Sequence, residues 1–304
     1  MERSTTRYRS VIADSVRWNG FVFRDDDIII STPPKCGTTW TQTIVALLLF
    51  QTVDLPSPID QLSPWLDQSL RPLDEVVSDL DTQTHRRFIK SHLPLDGLPW
   101  DDRVTYVCVA RDPRDVAMSW DNHINNIDFD VLFAQRDRAV GNEDLAELIT
   151  PETMQAPAET PAERFRHWID EAQGSTGGLA YLVNHIQTFW DARERPNVIH
   201  LHYARLQTDL EGEMRALAST LGIDVPEQLW GELVKAATFE EMKRRAPKAA
   251  PNASDPIWKD TSRFFNKGTS GQWRAVIGES ELDAYEARLK ELATPELTEW
   301  LHQE

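Results

Sequence analysis

The segment Ile28-Ile29-Ile30-Ser31-Thr32-Pro33-Pro34-Lys35-Cys36-Gly37-Thr38-Thr39-Trp40 restricts the fold more than any other part of the chain. β-Branched residues favour a strand, two prolines end it because they bring no N–H to a ladder, and the stretch from Thr39 to Phe50 has helical spacing. Strand, turn and helix N-terminus in immediate succession belong to a layered α/β structure. Such a turn aims backbone N–H groups and the positive end of a helix dipole at one point, where Lys35 adds a full charge and Thr38 and Thr39 add hydroxyls. An anionic, phosphate-bearing ligand is the expected occupant. The element is not a Walker loop, which needs a glycine four residues before Gly-Lys-Ser/Thr, whereas here Lys35 precedes the only glycine, Gly37. An ordinary strand-to-helix turn is the alternative for this segment taken alone.

Apolar, β-branched runs recur at 28–31, 87–90, 104–110 and 198–203, separated by long segments of helical spacing. Helices are expected at 39–50, 114–123, 161–171, 179–194, 209–221, 226–236, 239–244 and 279–291. The alternation implies an α/β fold with a central, mainly parallel sheet flanked by helices. Neither an internal repeat nor a Gly/Ser linker divides the chain, so residues 1–304 are read as a single domain, and 40% apolar residues with 11 Trp and 11 Phe suffice for its core. Two stretches lack periodicity. The first, about 128–162, is acidic, carries three prolines and reads as an inserted lid with short helices. The second, 244–263, holds Arg244, Arg245, Lys248, Lys259 and Arg263 and reads as a solvated connector or a basic flap over an anion.

A net charge of −17 argues against a nucleic-acid polymer as partner, yet a few cations converging on one pocket can hold a small anion, since distant charges are screened within about 10 Å. The start of the chain has no apolar h-region, and the longest apolar run, Ile44 to Phe50, is too short to span a bilayer. With two cysteines, Cys36 and Cys108, and no disulfide framework, the expected location is cytoplasmic.

Three further constellations carry chemistry. In Val109-Ala110-Arg111-Asp112-Pro113-Arg114-Asp115-Val116-Ala117-Met118-Ser119-Trp120, a strand ends at Ala110 and Pro113 suits a first helical turn. Arg111 then stands at the carboxyl end of a strand, where open α/β sheets bind ligands, and Ser119 can face the same crevice. In Phe88-Ile89-Lys90-Ser91-His92-Leu93-Pro94, strand alternation puts Lys90 and His92 on one face, and a histidine titrating near neutrality can accept a proton. In Val198-Ile199-His200-Leu201-His202-Tyr203, two histidines share a strand face, but no third ligand accompanies them, so a metal is not expected.

Taken in order, these segments resemble the cytosolic-type sulfotransferases, which use 3′-phosphoadenosine 5′-phosphosulfate. Pro34-Lys35-Cys36-Gly37-Thr38-Thr39-Trp40 is similar to their 5′-phosphosulfate loop, and Arg111 and Ser119 match the pair that grips the 3′-phosphate. By the same resemblance His92 is the catalytic base, with Lys35 and Lys90 neutralising charge on the transferring group. Tyr203 matches a tyrosine at the nucleotide. Thr238-Phe239-Glu240-Glu241-Met242 resembles a stretch whose phenylalanine packs on adenine, with Trp40 on the opposite face. Asn266, Lys267 and Gly268 fall on a phosphate-binding signature in which Asn266 replaces the usual arginine, and the family's dimerisation pattern is not recognisable after Trp273. The implied reaction is in-line sulfuryl transfer to a hydroxyl or amine of a small-molecule acceptor, releasing adenosine 3′,5′-bisphosphate without a metal.

Trp65, Trp120 and His123 are the candidates for the acceptor pocket, His123 standing where relatives usually carry an aromatic residue. A P-loop-like phosphoryl-transfer kinase and a non-catalytic nucleotide-binding protein are the competing readings. Cys36, at a helix N-terminus beside Lys35, is expected to have a lowered thiol pKa and to be sensitive to alkylation.

Overall fold

The computed structural model describes residues 5–149, 158–171, 177–245, 257–264 and 268–303. Its centre is a four-stranded, wholly parallel sheet of β1 (Ile28–Ser31), β2 (Phe88–Ser91), β3 (Thr105–Ala110) and β4 (Val198–His202), in the order β2-β1-β3-β4. Register is in step across the sheet: Ile29 lies opposite Ile89 and Tyr106, and Cys108 opposite His200. Helices cover both faces, so the strands carry near-continuous apolar runs, and Ile28, Ile29 and Ile30 are fully buried. Between the strands run α1 (Thr38–Phe50), α2 (Ile59–Leu62), α3 (Leu73–Thr82), α4 (Pro113–Asn125), α5 (Phe129–Val140), α6 (Leu145–Leu148), α7 (Pro161–Asp170) and α8 (Leu179–Trp190). After β4 come α9 (Tyr203–Thr208), α10 (Leu210–Thr220), α11 (Trp230–Ala237) and α12 (Phe239–Arg244), and the chain closes with helices Glu279–Leu292 and Pro295–Leu301. The expected α/β architecture with a central parallel sheet is therefore present.

The strand order places the site. The chain leaves β1 for β2 on one side and then crosses to β3 on the other, so the loops after β1 and β3 diverge and leave a crevice at the strands' carboxyl ends. The starts of β1 and β2 are joined by a buried ion pair, Arg87 Nε donating to Asp27 Oδ1 at 2.9 Å. The outer edge of β2 is not bare: Lys90 N donates to Pro64 O at 2.9 Å, and Trp65 bridges to Lys90.

Local chemistry sets the helix starts around that crevice. Gly37 caps α1 with φ +109°, and a Cβ there would lie 3.2 Å from Tyr203 Cδ2, so the turn needs glycine on both counts. Asp112 caps α4, accepting from Arg114 N at 2.9 Å, with Pro113 in the first turn. Asp128 caps α5, which runs for 12 residues, longer than the short helices expected in that acidic stretch. Its Leu132 packs with Leu70, Ile127 and Ile257, and this apolar contact between distant segments stabilises a helix that periodicity alone did not reveal. In the basic stretch, Ile127 and Trp258 form an antiparallel bridge, and Asn126 clasps Asp260 through its side-chain amide, accepting from Asp260 N at 3.1 Å and donating to Asp260 O at 2.9 Å.

Candidate active site

A cavity of about 1330 Å³ opens at the carboxyl ends of the strands. Lys35, Gly37, Thr38, Thr39, Trp40, Trp65, Lys90, His92, Arg111, Ser119, Trp120, His123, Tyr203, Phe239 and Gly268 all line it, so most candidate residues converge on one space. Asn266 and Lys267 lie outside the described residues. Two candidates face elsewhere. The Thr238 hydroxyl is engaged in capping α12, and Cys36 packs its side chain into the core beside Ala110, Val116 and Ala117. Burial pushes the Cys36 thiol up to about 12, against the smaller downward pull of Arg111 and Lys35, which corrects the expectation of a lowered pKa. The N-terminus of α1 does not activate the thiol, because the side chain lies in the apolar core rather than in the cavity. Of the basic stretch, Arg244, Arg245, Lys259 and Arg263 do not line the cavity; Arg244 pairs with Glu241, and Lys259 donates to Asn125 O at 3.2 Å.

The turn after β1 is wound tightly. Lys35 adopts φ +69°, a left-handed conformation that a non-glycine residue holds only when its surroundings impose it. Arg111 helps impose it, its Nη1 donating to Lys35 O at 3.1 Å while the guanidinium lies 4.2 Å above the Tyr203 ring. Arg111 is 6% exposed, and its Nε has no hydrogen-bond partner among the described residues. None of Lys35, Lys90 and Arg111 forms an ion pair among the described residues. Arg111 is buried and Lys35 and Lys90 are half-buried, so three cations share a partly desolvated space that an anion would stabilise. Lys35 is lowered to about 7, first by burial and then by repulsion from Arg111 and Lys90; burial lowers Lys90 to about 8, with Asp67 and Asp60 opposing.

His92 is held for one tautomer. Its Nδ1 lies 2.7 Å from Thr32 O, and because a carbonyl only accepts, Nδ1 is the N–H and Nε2 carries the lone pair. The Tyr181 hydroxyl donates to His92 O at 2.6 Å, and Trp65 meets the imidazole edge-on with centroids 4.7 Å apart. Burial, reinforced by the charge of Lys90, holds His92 well below its ordinary value, which keeps Nε2 free to take a proton. Trp65 is anchored by Asp67, whose Oδ2 accepts from Trp65 Nε1 at 2.9 Å and whose Oδ1 accepts from Trp18 Nε1 at 3.1 Å, and Lys90 Nζ sits 4.3 Å over the Trp65 ring. Another buried histidine, His185, has Nε2 3.3 Å from Ser31 Oγ behind the strands and does not line the cavity.

Asp67, Tyr181, Trp258 and Phe264 also line the walls, beyond the residues that the sequence motifs single out. Asp67 adjoins Trp65 in sequence, but its two indole donors come from separate segments, which local spacing does not reveal. Gly268, with φ +66°, approaches Phe239 so closely that a Cβ would sit 2.5 Å from the ring, and its loop is tied to α4 where Asp115 accepts from Gly271 N at 2.8 Å and Gln272 N at 3.1 Å. Two lysines and an arginine around a helix N-terminus, facing a tautomerically ordered imidazole, can bind a phosphorylated donor and take a proton from a nucleophile.

The model of the sulfotransferase domain family matches residues 25–298. The chain belongs to the sulfotransferases. It is 43% identical over 309 residues to a glycolipid sulfotransferase of Mycobacterium bovis (strain BCG / Pasteur 1173P2), covering 97% of this chain and 94% of that protein. It is 26% identical to sulfotransferase 1B1 of Canis lupus familiaris over 84% of this chain and 79% of the other. Among solved structures, retinol dehydratase in complex with androsterone and the inactive cofactor PAP aligns with a TM-score of 0.70 at 21% identity, covering 97% of this chain and 93% of that one. A mouse sulfotransferase complexed with PAP aligns with a TM-score of 0.68 at 19% identity, over 94% and 92% of the two chains. At these identities the structural matches establish a shared sulfotransferase fold. Among the described residues no helix is long and apolar enough to cross a membrane, and no group of three or more His, Cys, Asp or Glu could hold a metal ion.

Proposed function

We propose that this sulfotransferase moves the sulfuryl group of 3′-phosphoadenosine 5′-phosphosulfate to a hydroxyl of a sugar-bearing lipid, with His92 as general base. The observation that carries the reading is the convergence of Lys35, Lys90 and Arg111, none with an ion-pair partner among the described residues, on the cavity that His92 lines. The donor supplies an activated sulfur bonded to a phosphate oxygen. The loop N–H groups from Gly37 to Thr39 and Lys35 hold its 5′ end; Arg111 and Ser119 hold its 3′-phosphate; Trp40 and Phe239 flank the base. Tyr203 supports Arg111 from below. Cys36 enters this reading through its backbone alone, and Asn266, Lys267 and Thr238 stand as proposals from sequence resemblance.

During transfer the acceptor oxygen bonds to sulfur as the sulfur–oxygen bond to the phosphate breaks. The bonding pair leaves with adenosine 3′,5′-bisphosphate, and the acceptor proton passes to His92 Nε2. Lys35 and Lys90 balance the charge gathering on the departing oxygen, so catalysis rests on positioning and electrostatics. The acceptor class follows the 43% identity to a glycolipid sulfotransferase across 97% of the chain. A cavity of about 1330 Å³ with Trp65, Trp120 and His123 on its walls has room for such an acceptor beside the donor.

The test is sulfate transfer from labelled donor across a panel of glycolipids, phenols, steroids and amines. His92→Gln is expected to lose about 10²- to 10⁴-fold in kcat while binding adenosine 3′,5′-bisphosphate within about 3-fold of wild type. Near-normal turnover in that variant removes His92 as base. Greater thermal protection by ATP-Mg than by the bisphosphate would favour phosphoryl transfer instead.

A further inference from the structure

His123 stands on α4 with its ring between two indoles, 5.7 Å from the Trp120 centroid and 5.0 Å from that of Trp258. Its Nδ1 is 3.4 Å from Lys35 Nζ. The same ammonium lies 5.1 Å over the ring of Phe264, and Phe264 in turn meets Trp258 with centroids 5.2 Å apart. The Lys35 head group thus sits in a cradle made by α4 and the 258–264 segment, with the lone pair of one ring nitrogen and the face of a benzene ring turned towards it.

We propose that His123 is a positioning residue that docks the Lys35 ammonium at rest and releases it to the phosphosulfate when the donor arrives. The dock uses the Nε2–H tautomer, so that Nδ1 accepts from the lysine. Neutral imidazole is required, and His123 is held well below its ordinary value, first by burial and then by Lys35, Lys90 and His92. The titratable groups around Lys35 are Arg111 and Lys90, which oppose its charge, Cys36, whose thiol is protonated, and the neutral imidazoles of His92 and His123, of which His123 is the one with a ring nitrogen at hydrogen-bond distance from the ammonium. By accepting from the charged form, His123 keeps Lys35 protonated to a higher pH than an apolar ring would. The cradle also explains why a nitrogen heterocycle suits a wall that is otherwise aromatic: it stacks like its neighbours and still presents an acceptor. This role rests on the assignment of Lys35 to the donor and is separable from it.

The experiment measures binding of adenosine 3′,5′-bisphosphate to the full chain between pH 5.5 and 9, with His123→Phe and His123→Asn beside wild type. Wild-type affinity is expected to fall as pH rises through about 7, where free Lys35 loses its proton. His123→Phe keeps a ring for the indoles but no lone pair, and its fall should move at least half a pH unit lower. His123→Asn puts an amide oxygen near Nδ1 and should return the profile towards wild type. A His123→Phe profile that superimposes on wild type overturns the dock, whereas absence of bisphosphate binding in wild type overturns the donor assignment. A readout without substitution is the ¹⁵N shift of His123 Nδ1, which should move towards the value of a free lone pair on saturation with the bisphosphate; an unchanged shift counts against release.

Discussion

At the scale of single residues, the behaviour of each ionisable group is decided by which way its side chain turns from a shared stretch of backbone. Lys35 and Cys36 are neighbours in the turn after β1, yet Lys35 enters the cavity and Cys36 the core. A thiolate in that core would lack solvation, and so the thiol stays protonated and shielded. Iodoacetamide at pH 8 is therefore expected to leave native Cys36 unlabelled and activity intact, checked by mass spectrometry of the native and urea-unfolded protein. Rapid labelling of the native form, blocked by the bisphosphate, would restore the reactive-thiol expectation. The difference between the two neighbours was not legible in sequence, because a rule about helix N-termini speaks of the backbone and not of side-chain direction. Strand alternation, by contrast, does speak of side-chain direction, and Lys90 and His92 both line the cavity.

At the scale of elements, the parts read correctly are those whose signals are local. β1, its turn and α1 follow from isoleucines, prolines and a glycine within a few residues of one another, and α12 spans the expected Phe239–Arg244. β4 ends one residue early because Tyr203 opens α9, with His202 as its cap. By contrast α5 and the wall formed by Trp258 and Phe264 depend on contacts between segments more than a hundred residues apart, for which a single sequence has no periodic mark. Asn126 is the hinge of that arrangement, 1% exposed and clasping Asp260 from the end of α4. Asn126→Ala should cost about 1–3 kcal/mol and loosen the strip that carries Trp258. Limited trypsin digestion should then cut at Lys259 or Arg263 several-fold faster than in wild type, and equal rates would show that the clasp is dispensable.

At the scale of the whole molecule, a short four-stranded sheet must hold several long excursions in register. Arg87 and Asp27, each 1% exposed, tie β1 and β2 at their amino ends, away from the cavity, and Arg87 also donates to Val22 O at 3.0 Å, binding the segment before β1. Removing one member leaves the other charge stranded, so Arg87→Ala is expected to lose about 3–5 kcal/mol in urea unfolding, while Arg87→Lys recovers part of it. An unchanged midpoint would mean that water reaches Asp27 without disturbing the fold. The strip that lies along β2 has a further consequence. Pro64 accepts the Lys90 N–H that would otherwise be offered to a neighbouring molecule, and Trp65, next in line, faces the cavity. An uncovered parallel edge is a template for intermolecular pairing. Variation that reshapes the cavity through Trp65 therefore acts on the cover of that edge as well, and self-association becomes a natural limit on how far this wall can drift.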